Sequence, residues 1–278
     1  MLTTLLLAAG LAMPSVPVCD RAELPACAGS LPPSLLQILP AHWGRDPHTL
    51  GHALSRQLAG QGAVTLTQGD QALILTDRRR IAQPHILLVG YQVYELPSVH
   101  SLELALLHEQ GHLLTLAETL RTPYRFPYGP ALWGEEAIAD LHALWQLARR
   151  GELDQGWSLV HLRNFNLMGS APDWAHWSTP VLLPWLETPE RGAQLAGLSF
   201  DQVLVQSVIA TPDLPHFRTL GRRQFGPGRG GYPYVPAPLV TRWWQMLEPS
   251  LALLMGVDYP DYRDRQYRLM MAKSANLR

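Results

Sequence analysis

The run His108-Glu109-Gln110-Gly111-His112 reads H-E-x-x-H and carries the residue types that metal-assisted hydrolysis requires. On a helix, residues four apart lie one above the other on one face. His108 and His112 can therefore offer two imidazole nitrogens to a single metal ion. Glu109 is turned by about 100° from His108, so its carboxylate can reach a water at the metal without ligating the metal itself. The flanks are apolar: Ala105-Leu106-Leu107 precede the motif and Leu113-Leu114 follow it. Two histidines and a glutamate on a buried apolar helix need polar partners, and a metal ion is one.

A catalytic zinc usually takes three protein ligands and a water, so a third ligand must lie elsewhere. The position six residues after His112, where a metzincin carries its third histidine, holds Glu118, and the accompanying glycine position holds Thr115. The better candidate is Glu135-Glu136-Ala137-Ile138-Ala139-Asp140. Glu136 and Asp140 share one helical face, while Glu135 points elsewhere. Glu136, 24 residues after His112, can ligate through its carboxylate. Asp140 can then accept the N–H of a ligating histidine and fix its tautomer. Attack of water on a carbonyl also needs a donor to the developing oxyanion, for which Tyr124, Tyr128, His161 and His176 are candidates. His176 stands out by its aromatic setting, Asp173-Trp174-Ala175-His176-Trp177. His142 falls on a different helical face from Asp140 and reads as structural, and His42, His48 and His52 lack metal-site geometry.

The pairing of H-E-x-x-H with E-x-x-x-D resembles the gluzincin clan of zinc metallopeptidases, whose best-known member is the thermolysin family. The second string is also similar to the E-E-x-x-A-D element of a bacterial metallopeptidase-like family. The likeness covers about residues 99–146, and the aminopeptidase motif G-x-M-E-N is absent. It implies His108, His112 and Glu136 as zinc ligands, Glu109 as general base and Asp140 as the carboxylate behind a ligand. It implies a peptide or protein as substrate.

The surrounding chain must position these groups. Apolar residues make up 47% and charged residues 16%, enough for a substantial core, and a net charge of -1 gives nucleic-acid binding no electrostatic support. Arginine dominates the basic residues, and Arg78-Arg79-Arg80 reads as a solvated turn. Strands are expected at 63–67, 72–76 and 85–89, forming one small sheet before the motif. That order resembles the gluzincin core, where an edge strand borders the substrate cleft. A short helix near Leu35 and an amphipathic one at 49–59 precede or flank it. The motif helix is expected over 101–120, stopped by Thr122-Pro123, with a loop at 121–134 and a second helix at 135–150. Beyond that the chain reads as mainly helical, clearest at 178–186 (made irregular by Pro180 and Pro184), 199–209 and 239–255. Gly226-Pro227-Gly228-Arg229-Gly230-Gly231 reads as a flexible connection.

The N-terminal run Leu5 to Ala12 is too short to span a bilayer and reads as an export signal, although no Lys or Arg precedes it; a buried N-terminal helix is the alternative. Cys19 and Cys27 follow closely, as a disulfide closing a small loop or as two free thiols. No later segment is apolar enough to span a membrane.

The expected architecture is α+β: a signal at 1–12, an N-terminal segment at 13–48, a zinc metallopeptidase core at 49–150 and a mainly helical region at 151–278 packing on it. The expected function is zinc-dependent peptide-bond hydrolysis by an exported protein, periplasmic or secreted. A non-catalytic zinc scaffold or interaction protein, or a hydrolase of a non-peptide amide, stands as the alternative.

Overall fold

The computed structural model describes residues 16–68, 71–89, 92–116, 131–169, 172–209, 214–225 and 233–275. Among the described residues the class is α+β, mostly helical with two small sheets. The chain divides into two compact units, Met1–Gln83 with His100–Thr122, and Pro84–Val99 with Pro123–Arg278.

The first unit holds β1 (Val18–Asp20), α1 (Leu24–Gly29), α2 (Pro33–Ile38), α3 (Pro47–Leu58), β2 (Ala63–Gln68), β3 (Gln71–Thr76), α4 (Arg78–Ile81) and, further along the chain, α5 (Leu102–Leu116). Its sheet runs β1-β3-β2, with β1 parallel and β2 antiparallel to β3. β3 is central because its run Leu73-Ile74-Leu75 is fully buried, as suits a strand covered on both faces. α3 starts where the Asp46 carboxylate accepts the Thr49 N–H at 3.0 Å and Pro47 opens the first turn. It ends at Ala59, which takes a left-handed φ of 38°. Its buried stripe, Leu50, Leu54 and Leu58, meets Leu24, Leu35, Leu73 and Leu75 in one apolar cluster. Gly51 lets α1 approach closely: a Cβ there would sit 3.1 Å from Pro25 N. Cys19 and Cys27 form a disulfide that ties β1 to α1, with Cα atoms 5.8 Å apart. Arg78-Arg79-Arg80 form the exposed single turn of α4, capped by the Asp77 carboxylate.

The second unit holds the hairpin β4 (His85–Val89) and β5 (Gln92–Leu96), then α6 (Ala131–Arg150), α7 (Gly156–Met168), α8 (Thr179–Leu186), α9 (Pro189–Gly197), α10 (Phe200–Ile209), α11 (Leu214–Phe225), α12 (Ala237–Met255) and α13 (Tyr259–Ala275). Trp133, Trp177, Trp243, Phe165 and Phe217 are its largest buried side chains. Asn164 on α7 is fully buried and uses its whole amide. Its Nδ2 donates to Met246 O and Ser250 Oγ, both at 2.9 Å. Its Oδ1 accepts from Trp177 Nε1 at 3.0 Å and Thr179 Oγ1 at 2.9 Å.

Two expectations change. The strand at 85–89 does not join β2 and β3: it pairs antiparallel with β5, from His85 opposite Leu96 to Val89 opposite Gln92. Its apolar run is not buried on both sides, because Ile86 and Leu88 are 68% and 63% exposed. The second helix begins at Ala131 rather than 135, so 131–134 is not loop. Tertiary burial extends it: Trp133 is 1% exposed and donates its indole N–H to Trp177 O at 2.8 Å. The segment near Pro180 and Pro184 is helical over Thr179–Leu186: Pro180 falls in its first turn, while Pro184 lies inside the helix and can donate no N–H to it, the irregularity expected there. The leader, the Thr122-Pro123 stop and the glycine-rich loop lie outside the described residues. Among the described residues no helix is long and apolar enough to cross a membrane.

Candidate metal centre

The first unit supplies two imidazoles and a carboxylate from one helix. α5 carries His108, Glu109 and His112 within a single turn and a half, and it packs on β2. His108 is 8% and Glu109 6% exposed, and His112 is half-buried. The His108 and His112 Nε2 atoms face each other at 3.2 Å. Two nitrogens at about 2.0–2.1 Å from a tetrahedral zinc would lie about 3.3 Å apart, so the pair has the spacing of two zinc ligands. Glu109 points to the sheet: its Oε2 accepts the Thr65 hydroxyl at 2.7 Å, and the same hydroxyl lies 3.1 Å from Glu109 O.

The second unit supplies a carboxylate inside a charged network. Glu136 and Asp140 lie one turn apart on α6, at 6% and 0% exposure, while Glu135 is exposed. Asp140 is gripped by a buried arginine: Arg163 Nε donates to Oδ2 and Nη2 to Oδ1, both at 2.6 Å, and Ser178 Oγ also donates to Oδ2. Burial works against the Arg163 charge, but Asp140 outweighs it and raises the guanidinium pKa. His176 bridges two carboxylates, with Nδ1 2.7 Å from Asp173 Oδ2 and Nε2 3.2 Å from Glu136 Oε2. Burial favours neutral His176, yet the bonds to Asp173 and Glu136 prevail and hold its pKa at about 9. Asp173 is also resisted by burial, and its bonds to His176 lower its pKa.

The remaining candidates fall elsewhere. His161 sits on α7, 3.0 Å by Nδ1 from Ser250 Oγ and stacked on Phe165, so it belongs to the α7–α12 packing and not to the Glu136 network. His142 is buried against Phe200 and Trp145, with Nε2 3.2 Å from Gln146 Nε2. His42, His48 and His52 are exposed. Tyr124 and Tyr128 lie outside the described residues.

Thr65, Arg163, Asp173 and Ser178 escape a reading of the motifs. Only Asp173 carried a signal, three residues before His176 in a string already notable for its aromatics. No family model, curated protein or solved structure matches the chain.

Proposed function

We propose that the chain is a zinc-dependent hydrolase of peptide bonds, with His108, His112 and Glu136 as the metal ligands. The observation that carries this reading is the pair of Nε2 atoms 3.2 Å apart on a buried turn that also holds Glu109. Two imidazoles and one carboxylate suit a catalytic zinc, which keeps a position open, better than a structural one, which takes four protein ligands. Zinc bound there would supply the Lewis acidity that makes a water a nucleophile near neutral pH and polarises the carbonyl under attack.

Glu109 acts as general base. It takes one proton from the attacking water, the hydroxide oxygen bonds to the carbonyl carbon, and Glu109 returns the proton to the leaving amine as the C–N bond breaks. Asp140 holds Arg163, a charge behind α6 that keeps the Glu136 turn fixed. His176, oriented by Asp173 through Nδ1, steadies Glu136 through Nε2. The Cys19–Cys27 disulfide fits an oxidising compartment, and we place the protein outside the cytosol, in the periplasm or medium.

Metal analysis tests the ligand set. Purified protein should carry close to one zinc per chain, and Glu136→Ala should bind zinc far more weakly. Unchanged zinc affinity in that variant removes Glu136 from the ligand set. Digestion of a peptide library by the zinc-loaded chain should give defined cleavage products. A zinc-loaded chain that cleaves none of them favours a scaffold or a non-peptide amide substrate.

A further inference from the structure

A hydroxyl 44 positions earlier in the chain reaches the Glu109 carboxylate. Thr65 lies in the middle of β2, opposite Ile74 of the buried central strand, so its backbone is fixed by the ladder. A β-branched residue in a strand has few side-chain rotamers, and its hydroxyl is aimed accordingly. That hydroxyl has one proton and two oxygens of Glu109 in reach, Oε2 at 2.7 Å and the backbone O at 3.1 Å. The carboxylate oxygen is the shorter contact, and 2.7 Å is a full-strength O–H···O hydrogen-bond length. The proton therefore goes to Oε2. With Oε2 engaged, Oε1 is the oxygen left to receive a proton from water.

We propose that Thr65 is a positioning residue: it pins Glu109 by Oε2 and so presents Oε1 as the base atom. This rests on the reading of Glu109 as general base. A buried carboxylate on a helix has three rotatable bonds, and the pinned rotamer removes a search that would otherwise slow each turnover. Catalysis is sensitive to such placement, since about 1 Å of displacement can cost 10²-fold. A packing role for Thr65 would rest on its methyl group, whereas a positioning role rests on its hydroxyl, and two substitutions separate them. Thr65→Val keeps shape and strand propensity and removes the hydroxyl; Thr65→Ser keeps the hydroxyl and removes the methyl.

The test uses the full zinc-loaded chain and a peptide cleaved in the library digestion, with Glu109→Gln alongside. Thr65→Val should lower kcat by about 10–100-fold, the worth of a hydrogen bond to a charged group, with KM and zinc content unchanged. Thr65→Ser should restore kcat to near the wild-type value. A Thr65→Val enzyme with wild-type kcat, or a Thr65→Ser enzyme as slow as the valine variant, overturns the proposal. A crystal structure of Thr65→Val supplies a readout apart from turnover: the Glu109 carboxylate should leave its present rotamer. If it stays, Thr65 does not position it, whatever the rates. If Glu109→Gln cleaves as fast as wild type, the general-base reading fails, while the crystal structure still decides whether Thr65 holds the carboxylate.

Discussion

The two units treat their polar residues in opposite ways. In the first, His108, Glu109 and His112 are neighbours on one helix, and a strand residue, Thr65, reaches Glu109 from outside. In the second, Glu136 and Asp140 are neighbours on α6, but what fixes them comes from α7 and from the bend before α8, through Arg163, Asp173, His176 and Ser178. One arrangement is written by helical periodicity and the other by a charge network. The difference teaches what each can tolerate. A local motif loses function when one atom type changes and keeps its fold, whereas a network loses its fold first.

The sharpest way to break this contrast is Glu109→Gln. The amide keeps the volume and can still accept the Thr65 hydroxyl, but it is no longer a base. Zinc content and melting temperature should hold while kcat falls by about 10²–10⁴-fold. Wild-type turnover would remove the local motif from the chemistry.

Arg163→Met probes the other side. It leaves the fully buried Asp140 without its guanidinium, and breaking a buried pair in this way costs about 3–5 kcal/mol. Urea unfolding should show that loss, and converting Asp140 to Leu in the same chain should recover much of it. A loss under about 1 kcal/mol would mean that the network does not hold the second unit together.

The smallest effect is a pH dependence. Burial lowers the pKa of His161 and His85, so the fold prefers both neutral. The unfolded chain takes up protons near pH 6.5, and so stability is full above that value and declines as pH falls through the lowered folded values. His176, whose pKa is raised, works the other way: its contribution is complete below about pH 6.5 and is lost as pH rises through about 9. Comparing wild type with His161→Gln cancels the His176 contribution. Between pH 7.5 and 5.5 the variant should lose less of its melting temperature than wild type. Equal losses would show that His161 is not held neutral.

What the amino-acid order reveals follows the same division. The motif on α5 and the Glu136–Asp140 pair stand out because helical period converts a four-residue spacing into one face. The strands β2 and β3 and the helix α3 are legible from alternation, capping and an apolar stripe. β5 is not, because Gln92-Val93-Tyr94-Glu95-Leu96 pairs only through its neighbour and leaves Val93 69% exposed. Thr65 and Arg163 are silent for a different reason. Each is an ordinary strand or helix residue until the chain brings it to a partner 44 or 23 positions away. The start of α6 also belongs to tertiary structure, since a buried Trp133 overrides the local loop signal of Gly134.

Asn164 has a consequence for how the second unit assembles. Its four bonds reach residues 13, 15, 82 and 86 positions away, on the bend before α8, on α8 and on α12. None is satisfied by α7 alone, and a buried amide with only some of its partners is costlier than one left in water. A half-assembled unit therefore gains nothing from burying it, and the reward arrives only when distant segments have closed together. Such a residue acts as a completeness check on folding: it penalises intermediates in which α7 has collapsed onto the wrong neighbours and favours a single cooperative transition.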